Sequence, residues 1–156
     1  MRTVILVLTH AVAIGLGFAL GIYALPILTA PDAPTAEVTA AAAAKAVHTG
    51  EFRRDLEGSD LLHWGEGTVS VGAETIAFEG ELAPGPDYKL YLSPEFVETE
   101  AAFQRVKERM VRISDVKTFD NFVVSVPSSV DVSAYTTVVV WCESFDRFIT
   151  AARYRE

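Results

Sequence analysis

Thr137-Val138-Val139-Val140-Trp141-Cys142 reads as a β-strand more plainly than any other part of the chain. Its residues are β-branched or aromatic, apart from the last, and no charge interrupts them. A short, near-continuous apolar run predicts a central strand covered on both faces. Phe145, Phe148 and Ile149 follow closely and are expected to continue the core.

Working back from this run, more short strands alternate with glycine and proline punctuation. Gly65-Glu66-Gly67 precedes Thr68-Val69-Ser70-Val71, and Gly72-Ala73 precedes Thr75-Ile76-Ala77-Phe78. Pro84-Gly85-Pro86-Asp87 marks a turn, in which the Asp87 side chain is expected to act as a cap. In Tyr88-Lys89-Leu90-Tyr91-Leu92-Ser93, period two puts Leu90 and Leu92 on one face and Tyr91 on the other. Val111-Arg112-Ile113 and Phe122-Val123-Val124-Ser125-Val126 are further strands. Between them and Ser93 the rhythm breaks, and Thr99 to Arg109 reads as a short helix or structured loop. The fold class predicted is all-β, an antiparallel sandwich over residues 49–156. A span of that length builds a core without disulfide staples.

Upstream the material changes. Val4 to Leu28 carries no charge, and about 20 apolar residues cross a bilayer core. We read 3–29 as a transmembrane anchor. A cleaved signal peptide is the competing reading, but this apolar run is longer than the ~7–15 residues of a signal core. Pro31 and Pro34 also follow the small residues that would mark a cut. Arg2 precedes the span and no base follows until Lys45, so the positive-inside tendency puts the N-terminus in the cytoplasm. The domain then lies in the periplasm or outside the cell. Ala13, Gly17 and Gly21 form a small-residue stripe of the kind used by membrane-helix homodimers, although glycine is common in such helices anyway. Residues 30–48 are rich in alanine and proline and read as a spacer or marginal helix.

The chain has 13 basic and 21 acidic residues, a net charge of -8. It has no basic surplus to offset phosphate, which argues against nucleic acid as a partner. The single Cys excludes an internal disulfide and a cysteine-only metal cage. No GxSxG elbow supports a hydrolase, and Gly65-x-Gly67 precedes a strand where a dinucleotide fingerprint needs a helix.

Two side chains remain as candidates for chemistry. Cys142 is the sole candidate nucleophile or soft ligand, and a lone thiol can form a mixed disulfide, ligate haem iron or oxidise reversibly. Its neighbour Glu143 is an anion, which would raise the thiol pKa. The plain alternative is a buried structural cysteine ending a core strand. His63 lies before a glycine turn and would serve as a haem or metal ligand if it lay near Cys142. No HxH or HxxxH spacing marks a preformed metal site, so the identity of any metal is open. Tyr88, Tyr91 and Tyr135 would suit sugar stacking or sheet packing equally.

The soluble part resembles a known family. The signature runs through Gly50-x-Phe52, His63, Gly67 to Val71, and Gly85-Pro86-Asp87 to Ser93. Its most specific part is Val126-Pro127, Val130-Asp131, Ser133-x-Tyr135, and Val138-Val139-Val140-Trp141-Cys142-Glu143-x-Phe145, with Ala152 as a small residue in the last strand. These residues resemble the DM-thirteen domain, a DOMON-related predicted electron-transfer module. The segment Glu95 to Met110 is longer and more charged than the family pattern, and Phe122 stands where the family has a hydroxylated aromatic. The resemblance implies an accessory redox role centred on Cys142, assisted by His63, with an envelope redox protein as partner. It implies an accessory domain more than a stand-alone enzyme. A non-catalytic binding or protein-interaction module is the alternative on the same fold.

Overall fold

The computed structural model describes all of residues 1–156. Eight strands form two antiparallel four-stranded sheets that pack as a sandwich. The first sheet has the order β1 (His48–Phe52), β2 (Gly65–Val71), β3 (Thr75–Leu82), β6 (Phe122–Ser125). The second has the order β5 (Val111–Val116), β4 (Tyr88–Ser93), β7 (Thr137–Cys142), β8 (Arg147–Arg153). The run from Thr137 to Cys142 is thus an interior strand, paired with β4 and β8, and all its residues are buried.

Between the sheets lie the side chains that period two assigns inward. Val69, Val71, Ile76 and Phe78 come from one sheet, and Leu90, Leu92, Val138, Val140 and Cys142 from the other. Phe78 links Phe52 and Phe122, with ring centroids 5.1 and 5.0 Å apart. The second sheet carries two bulges, one between Leu90 and Tyr91 opposite Ile113, the other between Val140 and Trp141 opposite Ile149. Each extra residue turns an isoleucine into the core and increases local twist.

Along its edges the sandwich nearly closes on itself. β1 lies along β8, and β5 along β6. At Gly50 the approach is so close that a Cβ would meet the Arg153 carbonyl oxygen and the Ala152 methyl. This explains both small residues in the signature. Within the first sheet Gly67 and Gly80 are direct partners with φ of 138° and 156°. A side chain on Gly80 would strike the Glu66 carbonyl oxygen.

Three helices complete the chain. Helix α1 (Arg2–Thr29) has no buried residue and is long and apolar enough to cross a membrane. Its last turns meet one end of the sandwich, where Ile22, Ala24 and Pro26 are half-covered. Helix α2 (Ala36–Ala43) is capped by Thr35, whose hydroxyl accepts the Val38 N–H at 3.4 Å. It packs on β3, and the buried small residues of this sheet's outer face, Ser70 and Ala77, allow the close approach. Helix α3 (Glu100–Val106), capped by the Thr99 hydroxyl, continues into a 3-10 turn, Lys107–Arg109, in the segment read as a short helix or structured loop.

Helix α3 gives the second sheet its outer cover. Phe103 and Val106 pack with Val97 and Leu56 over Tyr91, Val139, Trp141, Phe148 and Ala151. This cover is why β7 is buried on both sides.

Candidate functional site

Cys142 is the last residue of β7, and its side chain faces the interior at 3% exposure. Directly across the sheet is Tyr88. The Tyr88 hydroxyl donates to the Ala83 carbonyl at 2.7 Å, and burial pushes its pKa well above the usual phenol range. Burial likewise pushes the Cys142 thiol up. Backbone N–H groups of Phe145, Asp87 and Ser144 oppose that rise without cancelling it, and the charge of Asp87 adds to it.

Burial, and not Glu143, is the main cause of the raised thiol, contrary to the sequence expectation. Strand alternation sends its carboxylate to the opposite face. There it accepts the Tyr91 hydroxyl at 3.0 Å and the Lys107 ammonium at 2.6 Å. Asp87 also departs from its expected capping role. Its carboxylate accepts the Ser144 hydroxyl at 2.9 Å and pairs with Lys89 at 2.5 Å, tying the β3–β4 connection to the β7–β8 turn.

His63 sits in the β1–β2 connection. Asp60, three residues earlier, folds this loop by accepting the backbone N–H groups of Leu62 and His63 at 2.7 and 2.9 Å. Both Asp60 carboxylate oxygens lie 2.9 Å from His63 Nδ1. Burial raises the Asp60 pKa, but its bonds to His63 and Leu62 outweigh this and hold it below the usual value. With Nδ1 occupied by the carboxylate, Nε2 is the ring atom left to act on a ligand.

Cys142 and His63 border one cavity of about 240 Å³. Its walls are otherwise largely apolar, with Leu62, Pro84, Phe145 and Ile149 from the sandwich and Ile22 and Tyr23 from α1. Most small-molecule sites enclose about 300–1,000 Å³, so this one suits a compact ligand and does not accommodate a haem without opening. No set of three His, Cys, Asp or Glu side chains gathers to hold a metal ion. A metal here would have only the thiolate and the imidazole from this chain.

Phe145 departs from the core position expected of it. Asp146 adopts a left-handed conformation, φ 50°, in the tight β7–β8 turn, and Phe145 is left 52% exposed at the cavity rim. Tyr88 and Tyr91 are buried packing residues, so neither offers a face for stacking a sugar.

The sequence reading missed Asp60, for which the signal was available as an Asp-x-x-His spacing in a loop. It also missed Tyr91, Lys107 and Glu143 as one hydrogen-bonded group, because three separate elements supply them.

A family model described as electron transfer DM13 matches residues 55–154, nearly the whole sandwich. The chain belongs to this family. No curated protein and no solved structure matches it. The matched DM13 segment contains Cys142, His63 and Asp60, and includes the α3 cover. Family membership gives the domain a general electron-transfer association, and α1 supplies a helix suited to anchoring it in a membrane.

Proposed function

We propose that this protein is a single-pass, membrane-anchored electron-transfer accessory domain, with Cys142 as its redox centre and His63 as its helper. The N-terminus lies in the cytoplasm and the DM13 domain on the far side of the membrane, where an envelope redox protein is the partner. The observation that carries the reading is that His63, held by Asp60, borders the same small cavity as the only thiol in the chain. Thiol–disulfide exchange fits these groups. The Cys142 proton passes to the imidazole, Sγ attacks a partner disulfide, and one partner sulfur leaves as a thiolate. Burial disfavours the free thiolate, so a base inside the cavity has a defined task.

Thiol titration of the full chain in lipid discs tests this. Folded protein is expected to react with a small disulfide reagent at one thiol, and His63→Ala to slow the reaction with little change in stability. A Cys142 that stays inert until denaturation would sink the proposal. The deep burial of Cys142 favours a second reading, in which the cavity binds a ligand without thiol chemistry. Under that reading Cys142→Ser retains function.

A further inference from the structure

Between Thr49 and Glu156 only three large apolar side chains are exposed: Leu61 at 94%, Leu62 at 58% and Phe145 at 52%. They come from two different connections, the β1–β2 loop and the β7–β8 turn, yet they gather at one end of the sandwich. Isolated exposed apolar residues are ordinary, but three of them collecting at one end mark a surface that is covered in use.

The same end receives α1. Ile22 and Tyr23 border the cavity that Leu62 and Phe145 line, and Pro26 and Thr29 border a second one with Gly85 to Lys89. The depth of these residues in a bilayer follows from helix geometry. At 1.5 Å per residue α1 is roughly 42 Å long, more than the ~30 Å hydrocarbon core that about 20 residues span. Counted from Val4, the first apolar residue after Arg2, 20 residues end at Tyr23. Tyrosine is a residue of the membrane–water interface. Leu62 and Phe145 therefore lie level with the point where α1 leaves the hydrocarbon.

We propose that Leu61, Leu62 and Phe145 insert into the leaflet next to the domain, so that the sandwich stands on the membrane by this end. The occupant of the apolar surface is lipid. Two features hold these side chains in place for it. Asp60 accepts the Leu62 and His63 N–H groups and fixes the loop, and the Asp87–Ser144 bond ties the turn carrying Phe145 to the neighbouring connection. The opposite end of the sandwich exposes one such side chain, Val47 just ahead of β1, and its loop at Pro127 to Ser129 is polar and exposed. The proposal is independent of any chemistry at Cys142.

Bromolipid quenching in lipid discs tests it on the full chain. A fluorophore is attached at Leu61→Cys, or at Ser129→Cys on the far end, every labelled variant being made in a Cys142→Ser background so that the dye has a single thiol. Emission from position 61 is expected to fall by half or more when the phosphatidylcholine carries brominated tails, and emission from position 129 to stay unchanged. Equal, negligible quenching at both sites would overturn the proposal, as would a change at position 61 that follows protein concentration, the sign of a second copy on this surface. Because a dye can itself seek lipid, a second probe is read at Phe145→Cys, with and without Leu61→Asp and Leu62→Asp together. The charged pair is expected to remove most of the quenching at 145. Unaltered quenching there would also overturn the proposal.

Discussion

Trp141 and Cys142 are neighbours in the chain and belong to different halves of the molecule. Cys142 points between the sheets, where apolar side chains from both sheets interlock and a small cavity remains at the end. Trp141 points outward, beneath α3, and its ring stacks on Phe103 at 3.9 Å with the planes 3° apart. Tyr91 meets the same Phe103 edge-on at 5.3 Å. One side of β7 is a sheet-on-sheet core completed by strand pairing. The other is an aromatic layer that exists only because an inserted helix covers it. The difference teaches that burial on both faces of one strand has two separate causes, and each can be broken without the other.

The largest effect is expected on the aromatic side. Trp141→Ala removes the ring on which Phe103 rests and is expected to cost about 3–5 kcal/mol, read from denaturant unfolding of the full chain in detergent. On the sheet-facing side, Leu90→Ala is expected to cost about 2–5 kcal/mol. Their double variant should be close to additive, because the two side chains lie on opposite faces of the sheet and share no cluster. Strong coupling between them would show that the two layers are one core.

The inner layer is legible from sequence because period two fixes it. The assignment of Leu90 and Leu92 to one face and Tyr91 to the other is what the structure contains. The outer layer is less legible. A short helix or structured loop over Thr99 to Arg109 follows from roughly helical apolar spacing, but nothing local says which sheet face Phe103 will cover. The cavity is harder still, since its walls come from the β1–β2 loop, the β3–β4 connection, the β7–β8 turn and α1. Phe145 escapes an apolar pattern because its outward direction goes with one left-handed residue, Asp146, that such a pattern does not reveal.

A smaller effect, with a defined pH sign, is expected where the outer layer meets water. Lys107 pairs with Glu143 at 2.6 Å, with side-chain exposures of 31% and 34%, so the pair is worth only ~0–1 kcal/mol. Burial raises the Glu143 pKa, but Lys107 and Tyr91 outweigh this and hold it below the ordinary 4.5. Burial and the bond to Glu143 push Tyr91 up to about 12. A depressed carboxylate stabilises the fold above its unfolded pKa, and that stability is lost as pH falls through the folded value. Glu143→Gln is therefore expected to flatten the acid limb of the stability profile below pH 4.5 and to leave the Leu90 side untouched. An unchanged acid limb would remove Glu143 from the account.

The smallest effect is the sharpest test of the aromatic layer. Trp141 Nε1 is buried with no hydrogen-bond partner, an arrangement that costs about 1–3 kcal/mol relative to a satisfied donor. Trp141→Phe deletes that orphaned donor and keeps a ring that can still stack on Phe103. It also leaves a void, because the indole is larger, and lining atoms lose their contacts there. The two changes oppose each other at similar size, so the net change is expected to lie within about 1 kcal/mol of zero. A loss as large as that of Trp141→Ala would mean that the layer needs the full indole outline, including the part carrying the unpaired N–H. A near-zero result beside a costly Trp141→Ala would show instead that stacking on Phe103 is what β7 requires from its outer face.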